Sequence, residues 1–204
     1  MDRRMMTVAL ALASCLAAPA AGQDRPAPRH DGGWEVSLGT GATFMDASLR
    51  AFLGSGAPEY RFANPTTPRS AVSTLTLRAG YNISRSVGLS FAGAMAGGEG
   101  VTYFMPSAAL TVTSNLNART SPFLLAGMGF TRISGLHDRI THSLWGIHGG
   151  VGMRSRISQA VALRIEGLVQ LEGYREVPMS KRTVVNPLFN VGFSYFIGGR
   201  SPPP

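Results

Sequence analysis

The last alternating stretch of the chain is the clearest. From Val185 the odd positions are Val185, Pro187, Phe189, Val191, Phe193, Tyr195 and Ile197; the even ones are Asn186, Leu188, Asn190, Gly192, Ser194 and Phe196. One face is large and apolar, the other mostly small or polar. The stretch before it repeats the pattern with charge. Val161, Leu163, Ile165, Gly167, Val169 and Leu171 alternate with Ala162, Arg164, Glu166, Leu168, Gln170 and Glu172. Successive side chains on a strand point to opposite faces. Arg164, Glu166, Gln170 and Glu172 therefore share one face, and the aliphatic residues the other. A strand in a soluble sandwich runs roughly five or six residues. Roughly ten alternating residues is the length a tilted strand needs to cross a bilayer.

Read this way, the sequence predicts eight strands, over 34–44, 74–84, 87–96, 101–115, 122–133, 144–157, 161–174 and 185–197. Connections 84–86, 116–121 and 158–160 are short; those over 45–73, 136–143 and 175–184 are longer, and only 97–100 breaks the alternation. Short turns at one end and longer loops at the other suit a barrel with periplasmic turns and extracellular loops. The fold expected is all-β: an eight-stranded antiparallel up-and-down transmembrane β-barrel with both termini on the periplasmic side. A closed barrel has no edge strand, so proline belongs at strand ends or bulges. Pro122 begins its strand, while Pro106 and Pro187 are expected near the extracellular ends of theirs.

The N-terminus supports export. After Asp2, Arg3 and Arg4 the chain runs uncharged from Met5 to Gly22, with small residues before Gln23. A basic start, an apolar run and a small-residue exit make a signal peptide. The expected division is 1–22 signal peptide, 23–33 periplasmic segment, 34–199 barrel and 200–204 short tail. A retained anchor is the alternative reading of the apolar run. Cys15, the single cysteine, follows Leu12, Ala13 and Ser14 as in a lipobox, a second alternative. The formal charge is +8, and removing Asp2, Arg3 and Arg4 leaves +7. Much of it falls between the predicted strands, at Arg50, Arg61, Arg69, Arg139, Lys181 and Arg182. Scattered charge on an exported chain argues against nucleic acid and for anionic lipid headgroups.

Asn190, Gly192, Tyr195 and Ile197 fit the terminal assembly signal of outer-membrane barrels: a polar residue, then Gly, then two apolar residues at fixed spacing. With the export signal and eight alternating segments, the chain resembles the small eight-stranded outer-membrane barrels of OmpA/OmpX type over about 33–199. The resemblance implies an outer-membrane location, the barrel-assembly machinery as a biogenesis partner, lipid and lipopolysaccharide as surroundings, a monomer, and no cofactor. The chain departs from the pattern in continuing past Ile197 instead of ending on an aromatic residue.

An eight-stranded barrel is just wide enough for side chains to fill its interior. Glu35, Arg78, His148, Arg154, Arg156, Arg164, Glu166, Gln170 and Glu172 are predicted to face the lumen. Glu35, Arg78, Arg154, Arg156, Arg164, Glu166 and Glu172 are expected to form an ion-pair network, because buried charges must be paired. Glu166 is expected between Arg154 and Arg164. Arg139, Lys181 and Arg182 are expected to meet lipopolysaccharide phosphates, since Arg grips phosphate through paired hydrogen bonds. Trp34, Phe123 and Tyr195, and at the other end Phe44, Phe104, Phe130 and Trp145, are expected to form interfacial girdles. A lipid A-modifying enzyme would need His, Ser and an acid together on the outer rim. His142 and Ser143 are adjacent, which on a strand sets them on opposite faces, with His137 and Asp138 nearby in the same loop. No metal site is expected, because His137 and His142 have no convergent partners in sequence. The role expected is non-enzymatic and structural, or one of presenting basic loops at the envelope surface. The alternatives are a narrow pore for water, ions or slim apolar solutes, a lipid A-modifying enzyme, and a secreted soluble lipocalin-like barrel.

Overall fold

The structure is a computed structural model, and it describes residues 32–44, 71–98, 101–135, 141–176 and 180–198. The expected signal peptide with Cys15, and Arg50, Arg61, Arg69, His137, Asp138 and Arg139, lie outside the described residues. Eight strands follow in chain order: β1 Gly33–Phe44, β2 Ala71–Asn82, β3 Val87–Gly98, β4 Val101–Thr113, β5 Thr120–Gly135, β6 Thr141–Arg156, β7 Val161–Glu176 and β8 Ser180–Ile197. Each pairs antiparallel with the next, and β8 pairs with β1 to close the barrel.

The register fixes the barrel's shape. Tracing paired residues around the wall leads from Gly33 through Asn82, Gly88, Thr111, Leu125, Gly150, Leu168 and Leu188 to Thr43. The path returns to β1 ten residues above its start, from Gly33 to Thr43. That stagger over eight strands tilts them by about 40° and gives a radius of about 8 Å. The ten-residue step from Trp34 to Phe44 along β1 then rises roughly 25 Å, the height of an outer-membrane barrel's apolar band.

The two faces of the wall differ as lipid and lumen require. Leu75, Leu77, Leu89, Phe91, Trp145, Ile147, Val169, Leu171, Phe189 and Phe193 are exposed on the outside. Leu163, Ile165 and Val191 share that parity and are half-buried among neighbours. Glu35, Arg78, Arg154, Arg164, Glu166 and Glu172 are buried inside. Charges within and large apolar side chains without invert a soluble barrel, so the lipocalin-like alternative fails. Trp34, Tyr81 and Tyr195 are exposed at the end that carries the described chain ends, with Trp34 and Tyr81 ring to ring at 5.3 Å. Phe44, Phe104 and Trp145 are exposed near the opposite rim, where Phe130 packs 5.0 Å from Trp145. Phe123 departs from expectation. It is buried inside the barrel, because β5 begins at Thr120 and its odd positions face the lumen.

Strand boundaries also differ from the sequence reading. At the terminal end the turns are 83–86, 114–119 and 157–160, and a side chain caps each of them; in the second, Asn115 Oδ1 accepts from the amide of Asn117. Ser84 Oγ accepts from the amides of Ser86 and Val87, and Ser158 Oγ from those of Ala160 and Val161. At the far rim the ladders of β5 to β8 continue well past the aromatic band, leaving only 136–140 and 177–179 as connections. Polar rim residues keep pairing, since a ladder needs backbone amides, not apolar side chains. Lys181 and Arg182, expected in a loop, are thereby residues of β8 paired with Arg175 and Tyr174. Pro106 lies inside β4 instead of near its end. It pairs with Gly93 on the β3 side, but the β4–β5 register skips from Phe104↔Arg132 to Ser107↔Gly129. A residue without an N–H leaves that gap in the ladder.

Leu77, exposed near mid-height on β2, checks the lipid face. Leu77→Arg is expected to cost about 2–4 kcal/mol, the range for a cation at the bilayer midplane. The same change at Thr102, exposed toward the rim, is expected to cost about 1 kcal/mol or less. Urea titration of both variants in lipid vesicles measures the difference.

Candidate functional site

The lumen is filled in layers. Nearest the terminal end, Leu116 from the β4–β5 turn packs with Ala162 and Phe196. Arg156 closes over them, donating from Nη2 to the Leu116 carbonyl at 2.7 Å with its guanidinium 5.4 Å from the Phe196 ring. Above lies a row of five charges from four strands. Arg154 Nε is 3.0 Å from Glu35 Oε1, and Arg164 Nη1 is 3.1 Å from the same oxygen. Arg164 Nη2 is 2.8 Å from Glu166 Oε2, and Arg78 Nη2 is 2.7 Å from Glu166 Oε1. The charges run Arg154, Glu35, Arg164, Glu166, Arg78, alternating in sign, with Arg164 joining both carboxylates.

Neutral groups complete the row. Ser194 Oγ donates to Glu35 Oε1 at 2.7 Å and lies 2.8 Å from Ser37 Oγ. Asn190 Nδ2 donates to Glu166 Oε1 at 3.3 Å, and Arg154 Nη1 to Thr113 Oγ1 at 3.1 Å. The Phe123 ring lies beneath the row, 4.6 Å from the Arg154 guanidinium carbon and 4.3 Å from that of Arg164. The inward position of Phe123 thus has a use: its π-face receives two buried cations.

A chamber of about 40 Å³ lies beyond the row, lined by Thr76, Arg78, Ala92, Ala94, Met105, Ser107, His148, Glu166, Leu168, Gln170 and Leu188. Toward the rim the lumen becomes apolar, with Val72, Ala96, Tyr103, Met105, Ile133, Leu144 and Val184 in one buried cluster. One carboxylate crosses this layer. Glu172 accepts from Thr131 Oγ1, from Gln170 Nε2 at 2.7 Å and from Asn186 Nδ2 at 3.0 Å.

Parity assigns the lumen residues, but their partners differ from the sequence reading. Glu35, Arg78, Arg154, Arg164 and Glu166 come together. Arg156 and Glu172 do not join them: Arg156 caps the terminal end, and Glu172 is held by neutral groups near the rim. Glu166 takes Arg78 in place of Arg154, because the barrel's stagger brings β2 across the lumen to β7. Thr131, Asn186 and Ser194 complete these contacts and were missed in the sequence. Their inward parity was readable; their reach across the lumen was not. In the last strand Asn190 points inward to Glu166, Gly192 lies against Gly39, and Tyr195 and Ile197 are exposed outward. Ser143 is exposed on β6, the strand that also holds His142. Among the described residues no group of three His, Cys, Asp or Glu could hold a metal ion.

The model of the outer membrane protein beta-barrel domain family matches residues 7–195. The chain belongs to that family. It is an outer-membrane protein. Its fold is similar to the crystal structure of Neisserial surface protein A, with TM-score 0.60 at 12% identity over 81% of this chain and 97% of that one. OprG from Pseudomonas aeruginosa matches with TM-score 0.55 at 13% identity, over 84% and 99% of the two chains. The N-terminal barrel of OprF from the same organism matches with TM-score 0.52 at 12% identity, over 81% and 98%. At these identities the likeness is one of fold. No individual curated protein matches the sequence.

Arg164 serves two carboxylates and Arg78 one. Breaking a buried pair from one side costs about 3–5 kcal/mol. Arg164→Met is expected to lie at or above the top of that range, and Arg78→Met nearer the bottom. Glu166→Gln is expected to fall between them. Equal urea midpoints for the two Arg variants would show that the row is not coupled through Arg164.

Proposed function

We propose that this protein is a non-conducting, non-enzymatic barrel that serves the outer membrane structurally and carries cationic groups at the envelope surface. The observation behind this reading is the filled lumen. The five-charge row, the Leu116–Phe196 plug and the apolar rim layer lie in series, and the chamber beyond the row measures about 40 Å³. That space holds a few waters and no solute, since one water needs roughly 10–15 Å³. A filled barrel is a rigid mount, and function then resides at its surface.

Lipopolysaccharide phosphates are the partner this surface suits. Arg132 is exposed on β5 two residues beyond Phe130 of the rim girdle. Arg175 and Lys181 are paired across β7 and β8. With Arg139 they form the proposed contact set. Arg182 of β8, paired with Tyr174, is a further member of the set. The motif ending at Ile197 is proposed to be read by the barrel-assembly machinery, and the working unit is a monomer.

Two measurements test this. Purified barrel in planar bilayers is expected to give no steady conductance, and proteoliposomes no swelling in small sugars; ohmic steps of one size from wild-type protein would replace this reading with the pore. Arg132→Ala combined with Lys181→Ala is expected to lower the lipopolysaccharide retained through a salt wash, with the gap narrowing as salt rises, because exposed charges are screened within about 8–10 Å. Equal retention would leave the rim charge with no lipid partner.

A further inference from the structure

The terminal end of the barrel carries positive charge that no described residue neutralises. Arg85 in the turn 83–86 and Arg119 in the turn 114–119 are exposed. The described carboxylates lie elsewhere: Glu35, Glu166 and Glu172 are buried in the lumen, and Glu176 ends β7 at the far rim. None of the turns 83–86, 114–119 and 157–160 contains Asp or Glu. Backbone bonds lock the two arginine-bearing turns together. Thr113 N donates to the Ser86 carbonyl and Leu116 N to the Arg85 carbonyl, both at 2.8 Å. Arg156 N donates to the Arg119 carbonyl, also at 2.8 Å, and the Leu116 side chain is buried in the lumen plug. Both guanidinium groups thus leave a fixed base, and little backbone freedom is lost when they meet a ligand.

The surface that adjoins these cations is apolar. Tyr81 and Ile83 are exposed just before Arg85, and Ile157 is exposed at the start of the third turn. Two residues span at most about 7 Å, so Arg85 stands in the headgroup layer when Ile83 meets the edge of the hydrocarbon. A soluble polyanion would pair with the cations and leave both isoleucines in water; an anionic amphiphile satisfies charge and apolar surface together. We propose that this end of the barrel binds anionic phospholipid headgroups of the leaflet it meets. Arg85 and Arg119 take the phosphates through paired hydrogen bonds, and Ile83 takes the upper part of an acyl chain. The site lies at the opposite end of the wall from the lipopolysaccharide contacts.

The chain has two tryptophans, one for each end: Trp34 beside Tyr81, and Trp145 beside Phe130 at the far rim. In a Trp145→Phe background, indole fluorescence therefore reports the terminal end alone. Purified protein with this change is folded into phosphatidylcholine vesicles that contain brominated phosphatidylglycerol, or the same fraction of brominated phosphatidylcholine. Bromine on a neighbouring acyl chain quenches the indole. Phosphatidylglycerol is expected to quench Trp34 more strongly, through an enrichment of up to about fivefold per arginine, and the excess is expected to shrink as salt rises. Arg85→Gln combined with Arg119→Gln is expected to remove the excess, and Arg132→Gln at the far rim to keep it. Equal quenching by the two lipids before any arginine is changed overturns the proposal, and this arm stands if the double variant does not fold. An excess that survives the double change also overturns it, as does one that Arg132→Gln removes as fully, since the lipid then answers to the net charge of the molecule.

Discussion

Glu35 Oε1 is the point where the barrel's closure and its charge meet. The residue belongs to the first strand, and its oxygen accepts from Arg154 of β6, Arg164 of β7 and Ser194 of β8. None of these partners is near in sequence. The carboxylate can leave water only when β1 has joined β8, because no earlier, open sheet brings them to it. Closure and charge compensation are thus one event. The cost of burying a lone carboxylate opposes every half-closed state in the membrane, and the row favours only the register that aligns it. A slip of one residue would send Glu35 into lipid and Trp34 into the lumen.

Room for this row comes from the side chains that are missing. Arg and Glu need space that a wall of about 8 Å radius does not offer if every inward position carries bulk. Gly152 stands beside Phe123, and a Cβ there would collide with the ring that underlies both guanidinium groups. Gly192 and Gly39 face each other across the β1–β8 seam, where a Cβ on Gly192 would strike the Leu38 carbonyl. Glycine weakens an isolated strand. Here it lets the closing strands approach and leaves the lumen to long polar side chains.

Much of the architecture was legible, because a period of two reports the face directly. Strand number, order and the inward set all follow from parity, and so does the outward band from Trp34 to Ile197. The far ends of the strands were not legible. Their outer residues are polar, and backbone pairing continues through Lys181 and Arg182 without any apolar signal. Phe123 was misread because an aromatic near a strand end suits a girdle as well as a cation's floor; only its odd position within β5 distinguishes the two. The partners in the row were beyond reach of the sequence. Glu166 and Arg78 are 88 residues apart and meet through the stagger, a property of the whole closed ladder and of no single segment.

β1, β2 and β3 have 12 residues each, while β5, β6 and β7 have 16 and β8 has 18. The shorter strands end with the aromatic band; the longer ones continue beyond it. The paired wall is therefore oblique at its rim, high on the side of β5 to β8 and low across from it. A molecule with such a profile is not rotationally equivalent in the plane of the membrane. It has a heading, and neighbours that approach from the high side meet hydrogen-bonded backbone above the lipid, where those arriving from the low side do not.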